Sequence, residues 1–168
     1  MDLAIIIHLL SIFVFIAANI ISFVYIMLNT KEKSYYRYDY CLKNGIIIDL
    51  ILLMMIFIQI ASGTVMVVSH NFSFGTPWIV AAYLLFSLMS VLVGVNLCIK
   101  IYNKSLIANY LVRLNKENFN FKFKLFKFFL INHALIIICI VLLIHDSVMK
   151  STLLEPVLYP IISFIKYH

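Results

Sequence analysis

Four stretches of the chain are nearly free of charge and dominated by Ile, Leu, Val, Phe and Ala, at about residues 3–28, 46–69, 77–99 and 128–148. A helix needs ~20 apolar residues to cross ~30 Å of hydrocarbon at ~1.5 Å per residue. Each stretch is long enough. Inside lipid an uninterrupted apolar run must satisfy its own backbone, which a helix does and a lone strand does not. The pattern therefore predicts an all-α chain with four transmembrane helices. The first run has Asp2 ahead of it, no basic leader and no small-x-small cleavage site, so it is expected to be a retained span. The tail "TLLEPVLYPIISFIKYH" (152–168) is apolar but broken by Pro156 and Pro160. It is expected to lie in the interface or against the bundle rather than to cross.

Polar and small residues within the spans mark the inward faces, because lipid offers them no hydrogen bonds. In the second span Asp49, Leu52, Ile56, Gln59, Gly63, Met66 and His70 recur at steps of three and four. The first span repeats the spacing with His8, Ser11, Phe15, Ala18 and Ser22, and the fourth with Asn132, Cys139 and Asp146, with His133 and His145 on neighbouring faces. In the third span Tyr83, Ser87, Ser90 and Gly94 suggest a face, with Ser90-xxx-Gly94 as a small-residue contact. This repeat suits an up-and-down four-helix bundle with a polar-flecked seam, and residues 1–168 read as a single membrane domain. Thr76-Pro77-Trp78 supplies a cap, a first-turn proline and an interfacial aromatic where the third span begins.

Composition agrees: the 168 residues are 64% hydrophobic and 12% charged, against about a quarter charged in soluble domains. The formal charge of +6 is a matter of topology. All but Lys150 and Lys166 of the 13 basic residues lie in two segments, one holding Lys31, Lys33, Arg37 and Lys43, the other running from Lys100 to Lys127. By the positive-inside rule both segments are cytoplasmic and both termini are outside. Nucleic acid is not needed to explain the charge. The alternating "NFNFKFKLFKFF" before the fourth span reads as a membrane anchor whose lysines meet anionic headgroups. Cys41, Cys98 and Cys139 stand far apart and suggest no disulfide or metal motif.

With this orientation His8, His70, His145 and Asp146 fall in the outer half, and Asp49, Asn19 and His133 toward the cytoplasm, with Gln59 between. A haem iron takes imidazoles from helices that face each other across a bundle, so His8 and His145, with His70 as alternate, are candidate ligands of haem b, or of a transition metal such as copper. The competing reading is a histidine bonded to a neighbour or to interfacial water. Asp49, with Gln59, Asn19 and His133, forms a second candidate, a polar seam or proton path. Lys43 or Asn19 is the expected partner of Asp49. No Ser-His-Asp set, P-loop or HExxH is present, and the chain reads as a non-catalytic membrane component. The expected partners are the lipid bilayer and a second copy or a membrane partner protein.

The order of features, "IIHLLS", then "IIIDLILLMMIFIQIASGTVMVV", then "TPWIVAAYLLFSLM", then a basic stretch and "LLIHDSVMKS", resembles a family of small bacterial four-helix inner-membrane proteins known only as a domain of unknown function. The resemblance spans about residues 4–151 and implies the four-helix fold but no activity. Leu50 stands where that pattern favours an aromatic, Ser151 where it has proline, and Ala17-Ala18 where it has glycines. A looser similarity, carried by His8, runs to the membrane-bound protoporphyrinogen oxidase, which is haem-associated, and to copper-resistance D type proteins. Ala82 and Tyr83 occupy the place of the oxidase pattern's lysine, which counts against that enzyme activity.

Overall fold

The computed structural model describes residues 3–29, 35–113 and 124–149. Four helices follow in order: α1 Leu3–Asn29, α2 Tyr35–Ser69, α3 Pro77–Arg113 and α4 Lys124–Met149. Each contains a segment long and apolar enough to cross a membrane. α2 and α3 are longer than the apolar runs suggest. α2 begins at Tyr35 rather than 46 and α3 continues to Arg113 rather than 99. At ~1.5 Å per residue helices of 35 and 37 residues exceed ~30 Å of hydrocarbon. Hydropathy registers only the part in lipid, whereas nothing in the polar continuation breaks the helix. The 152–168 tail and the first part of the Lys/Phe segment lie outside the described residues.

Consecutive helices are antiparallel. His8 near the start of α1 meets Ser62 near the end of α2, while Tyr25 and Asn44 meet at the opposite end. Thr64 reaches Tyr83, and Gly45 reaches Lys100, across α2 and α3. α4 packs on α3 and closes back onto α1, and the diagonal pairs stand farther apart. The result is a four-helix ring whose loosest seam is α1–α4.

The buried positions repeat every three or four residues, as left-handed bundle packing requires: Ser11, Phe15, Ala18 and Ser22 on α1, and Leu42, Gly45, Asp49, Leu52, Ile56 and Gln59 on α2. α3 contributes Leu85, Met89, Val93, Asn96, Lys100 and Asn103, and α4 Phe129, Asn132, Ile136 and Cys139. The outer faces stay apolar, with Phe13, Met54, Phe57, Val91 and Ile131 all exposed, a surface suited to acyl chains. The α3 face differs from the one expected. Ser87 is exposed and bonds its own helix at the Tyr83 carbonyl, and Ser90 does the same at Phe86. A Cβ on Gly94 would meet nothing within 4 Å, so Ser90-xxx-Gly94 is not a close helix contact. A serine inside lipid satisfies itself on the preceding turn and so gives no reliable mark of an interface.

The α2–α3 turn is set by two residues. Asn71 takes a left-handed φ of 55°, and the bonds from Phe72 N to the Val67 carbonyl and from Asn71 N to the Val68 carbonyl complete a Schellman cap, with Asn in the place glycine often fills. Thr76 supplies the carbonyl that accepts from Ile79 and Val80. Its hydroxyl turns back to Ser73, and Pro77 occupies the first helical position.

Candidate functional site

The polar residues separate into two groups, one at each end of the bundle. At the end where α1 stops and α2 begins, called the basic end here, Asp49 is fully buried and Lys100 is 4% exposed. The Lys100 ammonium lies 2.8 Å from Oδ1 and 2.7 Å from Oδ2 of Asp49. The first contact has hydrogen-bond geometry; the second is an ion-pair contact only. A third interaction, 3.3 Å to the Gly45 carbonyl, and the Phe129 ring at 5.7 Å complete the ammonium's surroundings. Gly45 eases the approach: a Cβ there would stand 3.3 Å from Nζ and 3.4 Å from two side-chain carbons of Lys100, and the lysine chain would have to shift by a few tenths of an ångström. Taking two charges from water is costly, and only close, well-satisfied pairing offsets it.

Beside this pair His133 is fully buried. Its Nδ1 lies 2.9 Å from the Phe129 carbonyl, which can only accept, so Nδ1 carries the proton. Nε2 then accepts from the Ser22 hydroxyl at 3.0 Å, tying α4 to α1 across their thin seam. Asn132 donates to the Leu92 carbonyl at 2.8 Å and joins α4 to α3. Asn19 Nδ2, Asn96 Oδ1 and Asn103 Nδ2 are buried with no hydrogen-bond partner among the described residues.

At the other end the helices part to leave a cavity of about 380 Å³. All four helices line it, mostly with apolar side chains such as Phe15, Phe86 and Leu143, and Trp78 and Phe72 on its wall pack edge to face with centroids 5.8 Å apart. The polar groups on its wall include His8, Gln59 and Tyr83. His8 Nδ1 sits 3.0 Å from Ser62 Oγ. The single Ser62 proton is used on the Ile58 carbonyl at 2.7 Å, with the Gln59 carbonyl at 3.3 Å, so His8 donates and its Nε2 is left as an acceptor. Gly63 faces the ring: a Cβ there would be 3.6 Å from Cε1. Tyr83 repeats the logic. Thr64 spends its proton on the Ile60 carbonyl at 2.7 Å, so the Tyr83 hydroxyl donates to Thr64 at 2.6 Å.

A family model described as "Predicted integral membrane protein (DUF2269)" matches residues 2–150, which takes in all four helices. The chain belongs to the DUF2269 family. No curated protein and no solved structure matches it. Within this DUF2269 chain the residues singled out from the sequence are only partly brought together. His8, Gln59 and His70 line the cavity; His145 stands next to Ile144 on α4, half-buried, and is not on the cavity wall. His70 is exposed and bonds back to the Met66 carbonyl. Asp49, Asn19 and His133 share the basic end, as expected from depth along the spans. The partner of Asp49 is Lys100, however, and Lys43 pairs with Asp39 at 3.3 Å. Lys43 is exposed, one residue off the stripe that runs through Leu42, Gly45 and Asp49, whereas Lys100 is buried. Among the described residues no group of three His, Cys, Asp or Glu side chains could hold a metal ion.

Lys100 was missed because it was counted with the cytoplasmic cations. The signal existed: Met89, Val93, Asn96, Lys100 and Asn103 continue one stripe at steps of three and four, past the point where hydropathy ends the span.

Proposed function

We propose that this integral membrane protein is a non-catalytic membrane component of the bacterial inner membrane, working through helix packing as a homodimer or beside a partner subunit. In this reading the basic end faces the cytoplasm and both termini lie outside. The observation that carries it is the pairing of buried Asp49 with buried Lys100 at 2.7–2.8 Å. Groups satisfied by each other inside a bundle fix helix register and leave no reactive charge exposed to a substrate. The apolar outer faces are available to lipid and to neighbouring helices.

The experiment is to count photobleaching steps of the labelled protein in native-lipid nanodiscs and to identify copurifying subunits. Two steps, or a stoichiometric partner, support the reading. A single step with no partner contradicts it. The conduit reading through Asp49 makes a different demand: a proton or solute flux in liposomes that Asp49→Asn abolishes while the fold stays intact.

A second reading is favoured by His8. The Ser62 contact leaves Nε2 as an acceptor and the ring lines a cavity, as an axial ligand of haem b requires. His145, which stands off that wall, is the proposed second ligand, with the cavity-lining His70 as its alternate. The wall provides no Lys or Arg to meet the propionates. A Soret band in the purified protein, lost in both His8→Ala and His145→Ala, would establish this reading, and a flat spectrum after expression with ample haem would remove it.

A further inference from the structure

From the cavity wall we infer a binding site for an uncharged lipophilic alcohol or phenol, whose hydroxyl donates to Nε2 of His8 and accepts from the side-chain amide of Gln59. This goes beyond the packing role proposed above and does not depend on it. Three observations converge. The cavity of about 380 Å³ is within the range of small-molecule sites and is walled mainly by apolar side chains from four helices, so the body of the ligand is apolar. Ser62 fixes the His8 tautomer with the proton on Nδ1, so the imidazole offers the ligand an acceptor and not a donor. Gln59 is 2% exposed, lines the cavity, and its side-chain amide has no hydrogen bond among the described residues. Gln59 and His8 line the same wall, and a hydroxyl is the smallest group that pairs with both of them, donating to one and accepting from the other.

The same wall argues against the nearest alternatives. A carboxylate or phosphate would find no Lys or Arg there. A ketone or ether offers His8 only a second acceptor, because the Nδ1 proton is already committed to Ser62. The Tyr83 oxygen, whose own proton goes to Thr64, adds a further acceptor on the wall and favours a donor ligand in the same sense.

Trp78 is the one tryptophan of the chain and lines the cavity, so its fluorescence reports occupancy directly. The probes are a long-chain alkylphenol brominated on its tail and the methyl ether of the same molecule, titrated into protein in nanodiscs. They share apolar surface and quencher and differ in the O–H. The expected result is saturable quenching by the phenol at up to about tenfold lower concentration than by the ether, the scale of one net hydrogen bond. His8→Phe, which keeps a ring in place, removes the difference, and so does Gln59→Met in part; should His8→Phe fail to fold by circular dichroism, Gln59→Met decides. Equal quenching by phenol and ether overturns the inference, as does a phenol preference that survives in the folded variants. A haem spectrum lost in His8→Phe overturns it too, by giving Nε2 to iron.

Discussion

Removing the Lys100 ammonium while keeping its length, by Lys100→Met, tests the basic end most sharply. Asp49 is 0% exposed and Lys100 holds both of its oxygens. The variant therefore leaves a buried carboxylate without its partner, a change that costs about 3–5 kcal/mol. A loss of about 4 kcal/mol, nearly a thousandfold in the folding equilibrium, is expected at pH 7. Asp49→Leu leaves Lys100 stranded and costs a similar amount. The double variant is apolar at both places and is expected within about 2 kcal/mol of the wild type, or above it. The assay is unfolding in mild detergent by SDS titration, followed by helical circular dichroism, for all four members of the cycle. Single losses under about 1 kcal/mol, or singles that simply add in the double, would refute the reasoning.

Other substitutions separate packing from mere polarity. Gly45→Ala is expected to stay within about 1 kcal/mol of the wild type, since the end of the flexible Lys100 chain gives way and alanine favours helix, whereas Gly45→Val costs about 1–3 kcal/mol by pushing Lys100 off Asp49; the same titration reads both. Ser22→Ala deprives His133 Nε2 of its donor and lowers stability by about 1–3 kcal/mol, with the His133 ring nitrogen shift in NMR reporting the lost bond. Met89→Ala, at a fully buried position, costs about 2–5 kcal/mol. Ser87→Leu, on the lipid face, changes stability by less than about 0.5 kcal/mol; a larger loss would place that face in a contact.

The membrane-spanning class and the α1, α2 and α4 seams were legible because lipid imposes simple rules. A backbone in hydrocarbon must be helical, and a polar side chain on such a helix turns inward, as Ser11, Ser22, Asp49, Gln59 and Asn132 do. The same rule misled at α3. Ser87 and Ser90 satisfy themselves on their own helix, so their polarity carried no direction, while the true stripe runs through apolar Met89 and Val93 into Asn96 and Lys100. A lysine at a span boundary reads equally as a topogenic cation and as a buried counter-ion, and only the position of Gly45 opposite it resolves which. The cavity was not legible at all. Its volume arises from how four helices splay, and its chemistry depends on the His8 tautomer set by Ser62 and the Tyr83 hydroxyl orientation set by Thr64.

The most direct measurement is the distance between Lys100 Nζ and Asp49 Cγ, by nitrogen–carbon dipolar recoupling in selectively labelled protein in liposomes. Ion-pair contact, within about 4 Å, is the result predicted for a bundle whose buried charges are spent on each other. A separation well beyond contact, with Lys100 in the interface and Asp49 paired elsewhere or protonated, would contradict the account at its centre.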